Sequence, residues 1–189
     1  PYILPHLRNP DFENGTEGWI LSPAEKGSMA PRTVDELGWL QGRYPRSDIG
    51  NTCLWAKRTA NRPNRFSQKI KDLEPGRLYS LKMYTADHSE IVRGKSEKTE
   101  HVLSIKLENA EFLPDKWLHC IFPNYDYGYT GKFNRKNKLW MNYHVRVFRA
   151  KSNIAMLTVS DWANERAAGA PAGQELVYNF VQVQPYLED

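Results

Sequence analysis

Two aromatic loops carry the side chains of this sequence whose types suit ligand chemistry. They lie within residues 24–50 and 123–142. Their rings are Trp39 and Tyr44 in the first loop, and Tyr125, Tyr127, Tyr129 and Trp140 in the second. A flat ring covers the apolar face of a sugar, and nearby Arg, Asp and Asn side chains bind hydroxyls. Because loops on a rigid scaffold commonly carry function, this rim is the preferred binding site, although Trp39 packing under its own loop is an equal interpretation.

An exposed strand face offers a second location for the same chemistry. Apolar and polar residues alternate over residues 78–85 and again over 143–149, which is typical of half-buried strands. The outward set predicted from the two strands is Lys82, Tyr84, His144, Arg146 and Phe148. Tyr84 and Arg146 are the members that we predict to contact a ligand. The alternative is that the whole set is solvated or covered by a loop.

Short antiparallel strands are the elements predicted to position these residues. Residues 51–87 are predicted to form three consecutive strands, with a tight turn over 74–77, because Pro75 presets φ and Gly76 tolerates a positive φ. Further strands are predicted from residue 19 and over 27–31, 102–107, 117–122, 143–149, 154–159 and 176–183, with 154–159 central. A loop is predicted over 88–99 and one short helical turn within 161–173. Strands at such spacing, with turns between them, predict an all-β antiparallel sandwich or barrel.

Length and composition indicate a single folded domain over residues 1–189. Because the sequence begins at Pro1 without Met, we expect a processed protein or a module excised from a larger one. The net charge is +4 and the pI is about 9.0. Solvated loops explain the clusters of Lys and Arg most simply, while binding of an acidic polysaccharide or another polyanion is the more specific interpretation. We expect neither nucleic-acid binding nor a membrane span, because no recognition motif and no run of 18 apolar residues is present.

Two cysteines, Cys53 and Cys120, each sit in an apolar, strand-like context. Both fit buried thiols, and a single disulfide between strands is an alternative that spacing does not decide. The five histidines are scattered along the chain, so a transition-metal site would have to be assembled by the fold.

Three separated segments resemble carbohydrate-binding modules with a galactose-binding-like jelly roll. The matching segments are 9–15 with Gly18-Trp19, then 66–70, 73–76 and 79–81, and finally 178–183. They occur in the family's order and span nearly the whole chain. The resemblance implies a jelly-roll sandwich that binds a polysaccharide or oligosaccharide. It also implies an attached glycan-active catalytic domain and a secreted, periplasmic or cell-surface location.

The same resemblance implies a structural calcium ion between the first turn and the last strand. Glu13 stands where the family supplies a carboxylate, and Asn179 stands where the partner is usually acidic. An asparagine oxygen can bind calcium, a hard cation, but one negative charge fewer weakens the site.

Three classes of function follow from these observations. The leading hypothesis is a non-catalytic carbohydrate-binding module, and the second is a structural or interaction sandwich in a multidomain protein. The third is a jelly-roll enzyme. A polysaccharide lyase would use His144, Arg146 and a loop tyrosine, whereas a hydrolase would need two facing carboxylates. The acidic residues near strand ends are Glu108, Glu111 and Asp161.

Overall fold

The computed structural model describes residues 6–40, 50–125 and 132–188. The strands of this part are β1 (Ile20–Ser22), β2 (Met29–Thr33), β3 (Thr52–Lys57), β4 (Arg65–Ile70), β5 (Leu78–Asp87), β6 (Ser104–Glu108), β7 (Ala110–Phe112), β8 (Leu118–Asn124), β9 (Leu139–Ala150), β10 (Ala155–Ser160) and β11 (Glu175–Pro185). Two short helices, α1 (Leu37–Leu40) and α2 (His88–Arg93), and a 3₁₀ turn over Pro114–Lys116 complete the elements. The predicted all-β class is confirmed.

The strands form two antiparallel sheets that pack face to face as a jelly-roll-like sandwich. The smaller sheet has the order β1-β4-β10-β6, so β10 is central, as predicted. The larger sheet has the order β2-β3-β11-β5-β9-β7, and β8 pairs with the first half of β9. Strands that are consecutive in sequence thus often lie in different sheets, so the chain crosses repeatedly between the two layers.

The predicted turn between β4 and β5 carries the chain from one sheet to the other. Gly76 has a φ of +88°, which glycine adopts without a steric penalty. Arg77 N donates to Glu74 O at 3.1 Å. The Tyr79 hydroxyl accepts the N–H of Glu74 at 2.8 Å, which ties the turn to the next strand.

The main core between the sheets is centred on an aromatic cluster of four rings. Phe66 of β4 makes edge contacts with Tyr178 of β11 at 4.9 Å and with Trp19 at 5.5 Å between ring centroids. Phe12 stacks on Trp19 at 5.4 Å. Each of the three segments that carry the family resemblance contributes at least one of these rings, so the resemblance follows the packing of the core.

A second hydrophobic cluster covers part of the outer surface of the larger sheet. It joins residues of α1, α2 and the loop before β9 to the sheet, including Leu37, Ile91, Phe133, Trp55 and Val177. Strict alternation over residues 176–183 predicts one shared face for Val177, Val181 and Val183. The structure corrects this, because Val181 and Val183 lie in the main core. A register shift in β11 between Asn179 and Gln182 reverses the alternation.

Two local predictions are wrong. The predicted loop over 88–99 begins with α2, whose start is capped by the Asp87 side chain accepting the N–H of Glu90. Gly94 ends this helix in the left-handed conformation. Conversely, the helical turn predicted within 161–173 is absent from that fully described stretch, which forms bends and turns instead. There Asn164 binds the N–H groups of Arg166 and Ala167, a side-chain bond that competes with helix.

Both cysteines are free thiols. Cys53 is fully buried on β3 within the second cluster, and burial raises its pKa to about 12. Cys120 is half-buried on β8. Among the described residues, no helix is both long enough and apolar enough to cross a membrane.

Replacing the central ring of the aromatic cluster tests how strongly the fold depends on it. Phe66→Ala leaves a cavity beside Trp19 and Tyr178, and we expect it to lower the free energy of unfolding by about 3–5 kcal/mol in urea titrations. Ile20→Ala is the matched control, because Ile20 is 63% exposed on the neighbouring strand; it should change stability by less than about 0.5 kcal/mol. Equal effects of the two variants would contradict the central role of Phe66.

Candidate functional site

The register between β5 and β9 decides which side chains share a face of the larger sheet. Tyr84 lies opposite Tyr143, and Met83 lies opposite His144. Directly opposed residues project to the same side of an antiparallel pair. Because Met83 is in the main core, His144 faces inward, and Tyr143 faces outward with Tyr84.

The predicted outward set of Lys82, Tyr84, His144, Arg146 and Phe148 is therefore divided between the two faces, which corrects the sequence analysis. Phe148 is fully buried and stacks on Tyr79 at 5.7 Å. The Arg146 guanidinium lies 4.6 Å from the ring centroid of Trp117, on the opposite face from Tyr84, and burial lowers its pKa. Strand β9 is buried on both sides over most of its length, so its alternation alone did not reveal which side faces the core.

The outer surface of the larger sheet carries an aromatic and polar patch that we call the tyrosine face. It consists of Lys82 and Tyr84 on β5, Tyr143 on β9 and Gln182 on β11. The two tyrosine rings are stacked with centroids 4.9 Å apart and an interplanar angle of 29°. Gln182 lies opposite Lys82, and all four side chains are half-buried. The face thus combines flat apolar rings with an ammonium and an amide.

Neighbouring rings fix the orientation of Tyr84. Phe122 of β8 and Phe180 of β11 contact it edge-on, at 6.1 Å and 6.4 Å between centroids. Tyr84 also packs against the second hydrophobic cluster, as do Phe122 and Tyr125. The ring is therefore held by packing on several sides, which is the condition for a preorganised contact surface.

The predicted rim residues have different outcomes. Tyr44, Tyr127 and Tyr129 lie outside the described residues, and so does the side chain of Trp39, whose backbone is in α1. Tyr125 is half-buried, with Lys138 Nζ 6.0 Å from its ring centroid. Trp140 is half-buried under Lys98, opposite Pro123, and lies on the side of β9 away from Tyr84. Ligand contact by these residues stays a prediction.

Tyr143 and Gln182 are not among the site residues predicted from the sequence. Tyr143 shares its alternation with Val145 and Val147, which indicated an inward face. Gln182 reaches the tyrosine face only through the register shift in β11, since Asn179 and Gln182 are both on the outer face although three residues apart. No local pattern in the sequence signals that shift.

A buried histidine cluster lies directly behind the two tyrosines. The hydroxyl of Thr85, the residue after Tyr84, contacts His101 Nδ1 and His144 Nε2, each at 2.8 Å. The hydroxyl has one proton, so it donates to one imidazole and accepts from the other. His119 packs against His144 with ring centroids 4.4 Å apart.

Asn142 closes this network against the neighbouring loop. Its Oδ1 accepts the backbone N–H of His101 at 2.9 Å and lies 2.6 Å from His119 Nε2. Its Nδ2 donates to Thr99 O at 3.0 Å. Among the described residues, His144 Nδ1 has no hydrogen-bond partner. The hydration that this nitrogen loses on burial is therefore not replaced by a hydrogen bond within the described structure.

Burial keeps two of these imidazoles neutral. Desolvation lowers the pKa of His101 to about 3, and the positive charges of His119 and Arg58 act in the same direction. Desolvation also lowers the pKa of His144 well below its usual value, with smaller contributions from His119, Arg146 and His101. A charged imidazole here would lack a carboxylate partner, and its burial would be costly.

Glu13 and Asn179, the predicted calcium ligands, meet at one backbone unit. Glu13 Oε1 accepts the N–H of Gly50 at 2.7 Å, and Asn179 Nδ2 donates to Gly50 O at 3.1 Å. Asn179 Oδ1 accepts the N–H of Phe180. Calcium takes six to eight oxygens, so it would combine the Glu13 carboxylate with carbonyl groups, and calcium binding stays a prediction. No group of three or more His, Cys, Asp or Glu side chains suited to a metal occurs within the described residues.

Comparison with known proteins finds likeness in structure but not in sequence. No family model and no characterised protein matches the sequence. The enzymatically active domain of tailspike protein 4 from bacteriophage CBA120 matches 96% of this chain at 13% identity with a TM-score of 0.52. This chain spans 21% of that tailspike structure.

Two further neighbours are carbohydrate-binding modules of similar size. TmCBM61, solved in complex with beta-1,4-galactotriose, matches 96% of this chain and 98% of its own at 15% identity and a TM-score of 0.47. A CBM4 module matches 95% and 99% at 11% identity and a TM-score of 0.40. At 13% identity, what the likeness to the tailspike domain shows is the fold alone.

The histidine cluster predicts a loss of stability in mild acid. The folded pKa values of His101 and His144 are below the unfolded value of about 6.5, so the unfolded state binds more protons. Their contribution is fully present above pH 6.5 and declines as pH falls below it, at a rate that approaches about 1.4 kcal/mol per pH unit for each histidine. Urea titrations from pH 7 to 4 would measure it, and His101→Gln should make the decline less steep. Parallel profiles for the two proteins would contradict this assignment.

Calcium dependence can be measured through thermal stability. If a calcium ion joins Glu13 to the last strand, adding chelator should lower the melting temperature, and excess calcium should restore it by mass action. Glu13→Gln should remove that response. Glu25→Gln is the matched control, because Glu25 is an exposed carboxylate in the β1–β2 loop. A melting temperature that chelator does not change in the unaltered protein would overturn the calcium prediction.

Proposed function

We propose that this chain is a non-catalytic carbohydrate-binding module that holds a polysaccharide or oligosaccharide on the tyrosine face. The observation that carries the proposal is the stacked pair of Tyr84 and Tyr143 beside Lys82 and Gln182. Aromatic rings cover apolar sugar faces, while an ammonium donates hydrogen bonds and an amide both donates and accepts them. The rim residues of the two aromatic loops are expected to extend the same site.

The position of the patch supports a ligand that lies along the sheet. Leu118 of β8 is 49% exposed and lies opposite Val145, which in turn lies opposite Lys82. The outer face therefore continues from β11 across β5 and β9 to β8. A surface four strands wide, at about 4.8 Å per strand, spans roughly 14 Å from the first strand to the last. That width suits an extended chain better than a single small molecule.

Observations on the predicted catalytic groups weigh against an enzyme. The lyase hypothesis needs His144 as a base, but His144 is 1% exposed and bonded to Thr85. The hydrolase hypothesis needs two facing carboxylates. Glu108 and Glu111 are in different sheets, and Asp161 is buried, accepting two hydrogen bonds from Asn64.

We further infer that the module works for an attached glycan-active enzyme outside the cell. The support is the family resemblance together with the tailspike neighbour, in which a fold of this shape is a fifth of an enzymatically active domain. A targeting module raises the local concentration of its partner on a polymeric substrate by linking the two binding events.

Alanine substitution of the stacked tyrosines tests the proposal. Affinity gel electrophoresis against neutral and acidic polysaccharides would first identify a bound glycan. Tyr84→Ala and Tyr143→Ala should each then weaken its binding about tenfold or more, because contact residues of this kind commonly contribute over 1 kcal/mol. Tyr84→Phe should keep most of the affinity if ring stacking dominates.

Trp117→Ala is the control for an exposed ring elsewhere. Trp117 is 38% exposed beneath Arg146 on the other side of the sheet, so its removal should leave glycan binding unchanged. Loss of binding in Trp117→Ala but not in Tyr84→Ala would reject the tyrosine face. If the unaltered protein binds no glycan in the panel, the structural or interaction hypothesis is favoured.

A further inference from the structure

The outer surface of the smaller sheet has a different chemical character from the tyrosine face. Its registers place Met156 beside Lys69, Thr158 beside Ser67, and Ser160 beside Arg65. Thr158 also lies opposite Lys106 of β6. We call this surface, with the adjoining Arg8 and Lys71, the basic face. Its described strand residues that face outward are cations, hydroxyls, aliphatic groups and one carboxylate, Glu108 of β6 opposite Met156, and they include no aromatic ring.

A cavity of about 210 Å³ lies at one end of the basic face. Arg8, Lys69 and Lys71 line it, together with the apolar side chains of Ile20 and Met156. Lys69 is on β4 and Lys71 follows directly after the last residue of that strand, so their backbones are about 7 Å apart. Both side chains line the cavity. The cavity therefore combines converging cations with an apolar wall.

The segment that carries Arg8 is fixed by bonds to β4. Gln68 Oε1 accepts the N–H of Arg8 at 2.6 Å, and Gln68 Nε2 donates to Arg8 O at 3.0 Å. His6 O accepts the N–H of Lys71 at 3.0 Å. Gly18 passes so close that an added Cβ would lie 3.2 Å from Arg8 Cβ. The wall of the cavity is thus built by the fold, although its charged side chains are exposed.

The charges at this end leave an excess of positive charge. Glu17 pairs with Arg8 at 3.0 Å, whereas Lys69 and Lys71 have no salt bridge among the described residues. A row of hydroxyls leads away from the cavity along β10, where Ser67 Oγ donates to Thr158 Oγ1 at 3.1 Å. It ends at a smaller cavity of about 50 Å³, whose lining includes Arg65 and Lys106 as well as Glu165. From Met156 to Ser160 the row covers roughly 13 Å.

We propose that the basic face is a second binding surface, which takes an anionic polysaccharide. A carboxylate or sulfate group is held in the larger cavity by Lys69, Lys71 and Arg8, and Ile20 and Met156 contact the apolar side of the sugar that bears it. The hydroxyl row then follows the chain toward Lys106. The inference rests on the proposed function only in that the ligand is a polysaccharide, since it uses the opposite surface of the sandwich.

The side chains of this face favour a polysaccharide over a nucleic acid. Proteins that bind single strands stack bases on aromatic rings, which the described outer residues of this sheet lack. The small excess of charge also suits spaced carboxylates or sulfates better than one phosphate per nucleotide. Hydroxyl side chains match the hydroxyl groups of sugars as hydrogen-bond partners.

The test measures binding of heparin and polygalacturonate, with neutral galactan as reference, by affinity gel electrophoresis at about 50 mM salt, where exposed charges are weakly screened. The double variant Lys69→Gln with Lys71→Gln should bind the anionic polymers about tenfold more weakly. Arg8→Gln provides an independent probe of the same cavity and should also weaken binding. Unchanged binding in both would overturn the proposal.

The control variant combines Lys26→Gln with Lys95→Gln, two exposed lysines away from the basic face. It has the same net charge as the test variant and should bind within about twofold of the unaltered protein. An equal loss in both double variants would reveal a net-charge effect and overturn the site. Binding of an oligonucleotide more tightly than heparin would overturn the ligand class.

Tyr84→Ala separates this inference from the proposed function. It should leave heparin binding unchanged, and a large loss would place the anionic chain on the tyrosine face and overturn the basic-face assignment. Heparin binding that depends on Lys69 and Lys71, without any glycan binding that depends on Tyr84, would support the basic face while rejecting the tyrosine face. Melting temperatures of the variants verify that each one is folded.

Discussion

The rest of the structure depends on the packing of four rings from distant parts of the chain. Phe66 lies at the centre, Tyr178 joins it from the other sheet, and Phe12 with Trp19 closes one end. Trp19 Nε1 also donates to Asn9 O at 2.9 Å, which holds the opening turn against the core. Because the contacts join both sheets and the first turn, the relative position of the sheets is fixed here. Each face of the sandwich then follows from that position.

A single irregularity in the last strand links the core to the surface. The register of β11 shifts between Asn179 and Gln182, where Phe180 has a φ of +50°. Val181 is thereby directed into the core, and its N–H donates to Pro10 O at 3.0 Å. The same shift places Gln182 beside Lys82 on the outer face. A bulge that improves core packing therefore also determines the composition of the tyrosine face.

The two sides of the larger sheet differ in character: the outer side carries the tyrosine face, and the inner side carries the buried histidines. Behind the outward tyrosines, Thr85, His101 and His144 form a buried polar network whose imidazoles are neutral. Such a network is specific in geometry because an unsatisfied buried group is costly. It holds adjacent residues of β5 and β9 in register, which keeps Tyr84 and Tyr143 stacked. The smaller sheet has a different buried polar network at one end, where Asp161 accepts two hydrogen bonds from Asn64, and its outer surface is hydroxyl-rich and basic.

The sequence by itself determined the fold class, most strand positions and the Pro-Gly turn. Alternation and turn chemistry are local signals in the sequence. The aromatic residues Phe12, Trp19, Phe66 and Tyr178 occur in a fixed order along the chain, and the packing of the core requires all four. The composition of each face was decided only by the tertiary structure. Strand β9 is buried on both sides over most of its length, so only its register with β5 shows that Tyr143 faces outward and His144 inward. The position of Gln182 likewise follows from a bulge, and the cavity at Lys69 forms only where residues 6–8 dock beside β4.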